Sequence, residues 1–243
     1  MKKLFPLLAL VAAFSQPAAA ADISTMQNLL QTEFRLLSED LGSALSYKPV
    51  TPAEPLGITG FDLGIEFSST DISKSSAALA KASGGGDTIN TLIVPKLHIA
   101  KGLPFGIDVA AFYSAIPSTN IKLTGAELRY AIIKGGVALP AVAIRGTMTR
   151  LSGVEQLAFD TKSLDVSVSK GFAMLTPYAG VGQVWVNSTA SVAGVSGVVL
   201  AESFTQSKVF VGANLNLGLT NFALEGDKTG GATSYSFKMG FRW

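Results

Sequence analysis

The sequence predicts an all-β fold: an up-and-down antiparallel transmembrane β-barrel of about ten strands, preceded by one N-terminal amphipathic helix. Three observations carry this. The residues from Ser234 to Trp243 alternate without a break, with Tyr235, Phe237, Met239, Phe241 and Trp243 on one face and Ser236, Lys238, Gly240 and Arg242 on the other. A period of two marks a strand between unlike surroundings. Apolar residues make up 48% of the chain and the mean hydropathy is +0.39, yet beyond residue 21 no apolar run approaches the roughly 18 residues of a membrane helix. The apolar residues are interleaved with polar ones, as expected where each strand alternates between lipid and lumen. Finally, the strand-like segments are joined by alternating short and longer connections.

Taken in order, residues 1–21 combine Lys2 and Lys3, an apolar run from Leu4 to Phe14 and the small residues Ala18 to Ala21, the pattern of a cleavable secretory signal. Residues 22–57 hold a helix and a connector. Met26, Leu30, Phe34, Leu37 and Leu41 recur at helical spacing between Ser24 and about Ser43, Ser24 with Gln27 makes a capping-box pattern, and Gly42 is the expected stop. Pro49, Pro52 and Pro55 make Tyr47 to Gly57 a stiff connector. With the N-terminus in the periplasm, the helix is expected to dock from the side of the tight turns.

Residues 58–243 supply the barrel. Strands are expected near 58–69, 92–101, 107–115, 120–133, 137–150, 157–170, 176–187, 202–217, 221–228 and 234–243. In the fourth, Ile121 and Leu123 are out of phase with Leu128, Tyr130 and Ile132, which calls for a bulge near Gly125. Ser188 to Leu200 either extends its neighbours or folds over the mouth.

The terminal strand resembles that of Gram-negative outer-membrane β-barrel proteins, which end in an amphipathic strand closing on a terminal Phe or Trp. The resemblance implies the cell outer membrane as location, lipid as surroundings, and Tyr235, Phe237, Phe241 and Trp243 as the signal read by the barrel-assembly machinery.

Parity assigns Asp62, Glu66, Lys96, His98, Asp108, Glu127, Arg129, Arg145, Asp165, Glu225, Asp227, Lys238 and Arg242 to the lumen, since charge is costly in lipid. Both signs are well represented, which favours a salt-bridged network over an ion-selective pore. Phe112, Phe210 and Trp185 are read as inward with Ala110, Ala141, Ala143 and Gly212, either packing the helix or lining an apolar pocket. His98 is the sole histidine and lacks a nameable nucleophile, so catalysis is not expected. Removing Lys2 and Lys3 takes the net charge from +2 to zero, which leaves no basic surface for nucleic acid. Without cysteine, thiolate metal sites and thiol chemistry are excluded, and no cofactor motif is present. The expected function is therefore a structural or passive-transport barrel for a small solute. The alternatives are a surface barrel enzyme acting on lipid or peptide, and a soluble periplasmic barrel binding a hydrophobic ligand.

Overall fold

A computed structural model describes residues 25–243 apart from 86–87, 117–118 and 192–198. The export signal read over residues 1–21 and the capping residue Ser24 lie outside the described residues. After a 3-10 turn over Met26–Asn28, the chain forms α1 (Gln31–Leu45), β1 (Phe61–Asp71), α2 (Ser76–Ala82), β2 (Thr91–Gly102), β3 (Ile107–Ala115), β4 (Lys122–Lys134), β5 (Ala141–Ser152), β6 (Leu157–Ser169), β7 (Leu175–Ser191), β8 (Val199–Leu217), β9 (Thr220–Thr229) and β10 (Ala232–Arg242). Each strand pairs antiparallel with its neighbours in sequence, and β1 pairs with β10, so the sheet closes without a free edge. Closure extends one residue past the last strand. Trp243 exchanges backbone hydrogen bonds with Phe61 at 2.9 and 3.1 Å, and their rings stack at 5.2 Å.

The alternation of the terminal strand is realised in space. Ser234, Ser236 and Lys238 are buried, whereas Tyr235 is 71% exposed and Phe237, Phe241 and Trp243 also face outward. The same inversion runs round the barrel. Leu63, Ile99, Leu128, Val166, Val181, Val211 and Leu224 cover the outside, while Asp62, Glu66, Arg129, Arg145, Asp165 and Lys238 are buried within. Polar groups inside and aliphatic groups outside reverse the arrangement of a water-soluble domain.

Several expectations need correcting. The irregularity in β4 lies between Ala131 and Ile133, not at Gly125. Leu123 keeps the parity of Glu127 and Arg129 and is buried inside, because that part of the lumen is apolar. Gly125 lies under the Phe112 ring, where a Cβ would collide. Trp185 faces outward, and its neighbours Val184 and Val186 are the buried pair. The stretch 137–140 stays outside β5 as an exposed turn, with the Lys170 ammonium donating to the carbonyls of Gly136 and Val137. Within the long segment after β1, α2 forms. Ser188–Ser191 extend β7 and Val199 begins β8.

The helix also differs from expectation. Leu30 precedes it, with its N–H donating to Glu33 Oε2 at 2.9 Å, so the capping partner is Glu33 in the first turn. Gly42 does not stop α1, which continues to Leu45. Phe34, Leu37, Leu41 and Leu45 form the buried stripe, and Leu30 is exposed.

Candidate functional site

The barrel has two ends. One carries the much longer segment 72–90, together with 116–121, 153–156 and the β7–β8 connection; the other carries the turns 103–106, 135–140, 170–174 and 218–219 and the C-terminus. The segment from Thr25 to Gly60 occupies the lumen between them and can be followed contact by contact. At the long-loop end, the Thr25 N–H donates to Ala82 O at 3.0 Å, and the Lys81 ammonium meets Glu33 Oε1 at 2.6 Å. The Gln31 amide donates to Glu202 Oε1, and Arg35 pairs with Glu202 at 2.9 Å. Deeper, Ser38 Oγ donates to Ser188 Oγ and the Ser75 N–H donates to Asp40 Oδ2, both at 3.0 Å. Past α1, Lys48 Nζ meets Asp227 Oδ1 at 2.7 Å and the Val50 N–H donates to Glu225 Oε2 at 3.0 Å. At the short-turn end, the Ala53 N–H donates to Ser169 Oγ and the Leu56 N–H to Asp108 Oδ1, both at 3.1 Å. The chain then turns at Gly57–Gly60 into β1.

This overturns the expected docking from the side of the tight turns: α1 lies toward the long-loop end, and the connector lies within the lumen. The lumen wall explains the direction, because it has two zones. Toward the long loops, Val94, Leu123, Leu157, Phe159, Val184, Val186 and Ala190 form an apolar layer that receives Met26, Leu29, Phe34, Leu37, Leu41 and Leu45. Burying a stripe of such side chains stabilises by about 1.5–3 kcal/mol per residue. Toward the short turns the wall is charged, and the unpaired peptide N–H groups of the Pro-rich connector find acceptors there. Gly42 marks a close approach of helix to wall, since a Cβ there would meet Val186 and Gln206. Gly42→Val is therefore expected to push α1 off β7 and β8 and to cost about 1–3 kcal/mol. Urea unfolding of lipid-refolded protein would measure it, and an unchanged midpoint would mean that α1 is not seated there.

Most of the lumen residues picked out by parity are held in ion pairs inside the barrel. Lys96 pairs with Glu66 at 2.6 Å, Lys238 with Asp62 at 2.8 Å, Arg129 with Asp108 at 2.6 Å and Arg145 with Glu127 at 3.1 Å. Arg129 and Arg145 lie directly opposite each other across β4 and β5, an unfavourable pairing of like charges. The connector relieves it: Thr51 Oγ1 accepts from both guanidiniums, at 3.1 and 3.5 Å, and Pro52 O accepts from Arg129. His98 is buried with Nδ1 3.8 Å from Asp62 Oδ1, too far for a hydrogen bond. Arg242 is only partly buried, at the short-turn rim. Phe112 and Phe210 do face inward, against Tyr47 at 5.4 Å and Tyr178 at 6.5 Å.

Two participants are missing from the set that parity assigned. Lys208, whose ammonium contacts Tyr47 O at 2.9 Å and Asp165 Oδ2 at 3.4 Å, shares the phase of Phe210 in β8 and was legible there. Lys48 lies in the connector, where no periodicity exists to place it. At the mouth, the Glu33 carboxyl is held below its ordinary pKa by the Leu30 N–H and then by Lys81. A depressed carboxylate stabilises above its unfolded pKa and loses that contribution as pH falls, so acid loosens the contact between α1 and α2.

The fold defines a class, the inside-out antiparallel barrel with a polar interior and an apolar exterior, here filled by its own N-terminal segment. No family profile and no curated protein sequence matches the chain. Among solved structures, the N-terminal β-barrel domain of Pseudomonas aeruginosa OprF is similar at 13% identity and a TM-score of 0.35, covering 74% of this chain and 97% of that one. Ail, the attachment invasion locus protein of Yersinia pestis, has 12% identity, a TM-score of 0.35, and coverage of 78% and 99%. The translocator domain of the autotransporter NalP from Neisseria meningitidis has 13% identity, a TM-score of 0.35, and coverage of 87% and 95%. The class rests on the closed strand order and the inverted burial, not on likeness at this level.

Proposed function

We propose that this protein is a structural outer-membrane β-barrel, anchored by its apolar belt and closed in its resting form by the segment from Thr25 to Gly60. The single observation that carries the proposal is the continuous line of contacts between that segment and the lumen wall, from Ala82 at one rim to Asp108 at the other. A porin-like solute pathway would require the segment to leave, stranding Asp227 and Glu225 without the Lys48 and Val50 contacts. Catalysis is not proposed, because among the described residues His98 Nδ1 has no hydrogen-bond partner to orient it as a general base.

Planar-bilayer recording tests the proposal on the intact protein. The parent is expected to show no steady open state, and deletion of residues 24–56 is expected to yield a stable conductance. A parent that conducts steadily would overturn the closed barrel. The proposed partners are membrane lipid and the assembly machinery that reads the terminal strand. Deleting Trp243 removes its stack on Phe61 and two backbone hydrogen bonds out of a long ladder. Refolding into lipid in vitro should survive while accumulation in the outer membrane of cells drops, as gel-shift and fractionation assays would show. Normal accumulation of a variant that lacks Trp243 and carries Phe241→Ala would remove the recognition role.

A further inference from the structure

The contact order along the lumen has a directional consequence. At its C-terminal end the segment is fastened to the short-turn rim, where the Gly60 N–H donates to Gly57 O at 3.0 Å and Phe61 begins β1 beside Trp243. At its other end Thr25 is fastened to α2, by its N–H to Ala82 O and its hydroxyl to Lys81 O at 2.7 Å and Ala82 O at 2.9 Å. The fifteen residues of α1 rise about 22 Å at 1.5 Å per residue. With the connector, the segment outspans the roughly 30 Å apolar core of a bilayer. Because Thr25 is held to α2 at the long-loop rim and Phe61 to Trp243 at the short-turn rim, the two lie at opposite ends of the barrel.

From this geometry we propose that the barrel carries its own N-terminus through its lumen and holds it at the long-loop face, so that a peptide joined ahead of Thr25 is displayed outside the cell. The proposal rests on the outer-membrane reading above, in which the short turns face the periplasm. An exported chain reaches the outer membrane from that compartment, so the N-terminal segment must cross the lumen, either threaded through a closed barrel or enclosed as β1 and β10 meet. The lumen is built for a polypeptide in this direction. An apolar half accepts the stripe of α1, and a charged half bonds the peptide groups of an extended connector at Val50, Ala53 and Leu56. At the exit, α2 acts as a clasp. Its last carbonyls hold Thr25, Lys81 holds Glu33, and the loop ahead of it holds Asp40 through Ser75.

The chain has no cysteine, so single cysteines report sidedness without background. Asn28→Cys samples the N-terminal segment, Ser73→Cys the long-loop rim and Leu219→Cys the short-turn rim, all three at exposed positions. Intact cells would be treated with a polyethylene-glycol maleimide too large for porins. Asn28→Cys is expected to label as strongly as Ser73→Cys, and Leu219→Cys an order of magnitude less until the outer membrane is permeabilised. A short epitope inserted between Asp22 and Ile23 should then bind antibody on intact cells. Labelling of Ser73→Cys without Asn28→Cys would overturn the inference while leaving the outer-membrane reading intact, as would labelling of Leu219→Cys alone. If none of the three labels in intact cells and the protein leaves the envelope without detergent, the outer-membrane reading itself fails and the display inference with it. If none labels yet detergent is still required, only display is overturned.

Discussion

Lys48→Ala is expected to destabilise the protein by about 3–5 kcal/mol, because it leaves a buried carboxylate without its partner. Lys48 and Asp227 meet at 2.7 Å with side chains 0% and 1% exposed. Among the described residues, Asp227 then keeps only the Thr229 hydroxyl at 2.9 Å. Lys208 is not free to replace the lost charge, since its ammonium is held by Tyr47 O and Asp165. The large cost reflects the stranding of one ion rather than the worth of the pair, so Lys48→Met combined with Asp227→Leu should recover most of the stability. Urea titration of protein refolded into lipid vesicles measures both variants. A single variant within 1 kcal/mol of the parent, on the order of an exposed pair, would mean that water reaches Asp227 and that the connector does not lie in the lumen.

Val211→Arg is expected to cost about 2–4 kcal/mol, the price of placing a cation near the bilayer midplane, while Leu219→Arg should cost about 0–1 kcal/mol near the interface. Val211 is 64% exposed on the outer face of β8, and Leu219 sits in the turn beyond its end. A lumen position in the same strand is not the cheap control that parity alone suggests. Asn214 is fully buried and accepts from Asn221 at 2.7 Å while donating to Asn216 at 3.1 Å, so an arginine there would break a packed amide cluster. Equal costs for Val211→Arg and Leu219→Arg, read from reversible refolding, would place the belt elsewhere on the barrel.

Strand number, closure by the terminal strand and the inward charges were legible because a pleated strand encodes its two faces residue by residue. Asp62, Glu66, Lys238 and Tyr235 each follow from local alternation, with no knowledge of a neighbouring strand. Alternation misleads where the interior ceases to be polar. Leu123 and Val184 are buried inside, in strands where an apolar residue reads as outward, and that one misjudgement produced both the bulge assigned to Gly125 and the inward Trp185. Gly42 failed for a related reason: its absent side chain answers to Val186 and Gln206, far along the chain, and not to the end of a helix.

By itself, the sequence determined that strands alternate between lipid and a polar interior and that an amphipathic helix precedes them, because each property repeats at a local period. Only the tertiary structure decided where the helix goes. Its stripe must meet an apolar layer, and that layer exists only once Val94, Leu123, Leu157, Phe159 and Val186 from four separate strands close around one end of the lumen. The connector must in turn meet Asp227, Glu225, Arg129 and Asp108 at depths set by the register of strands far from it in sequence. Direction through a barrel belongs to the assembled wall, and no period along one chain segment encodes it.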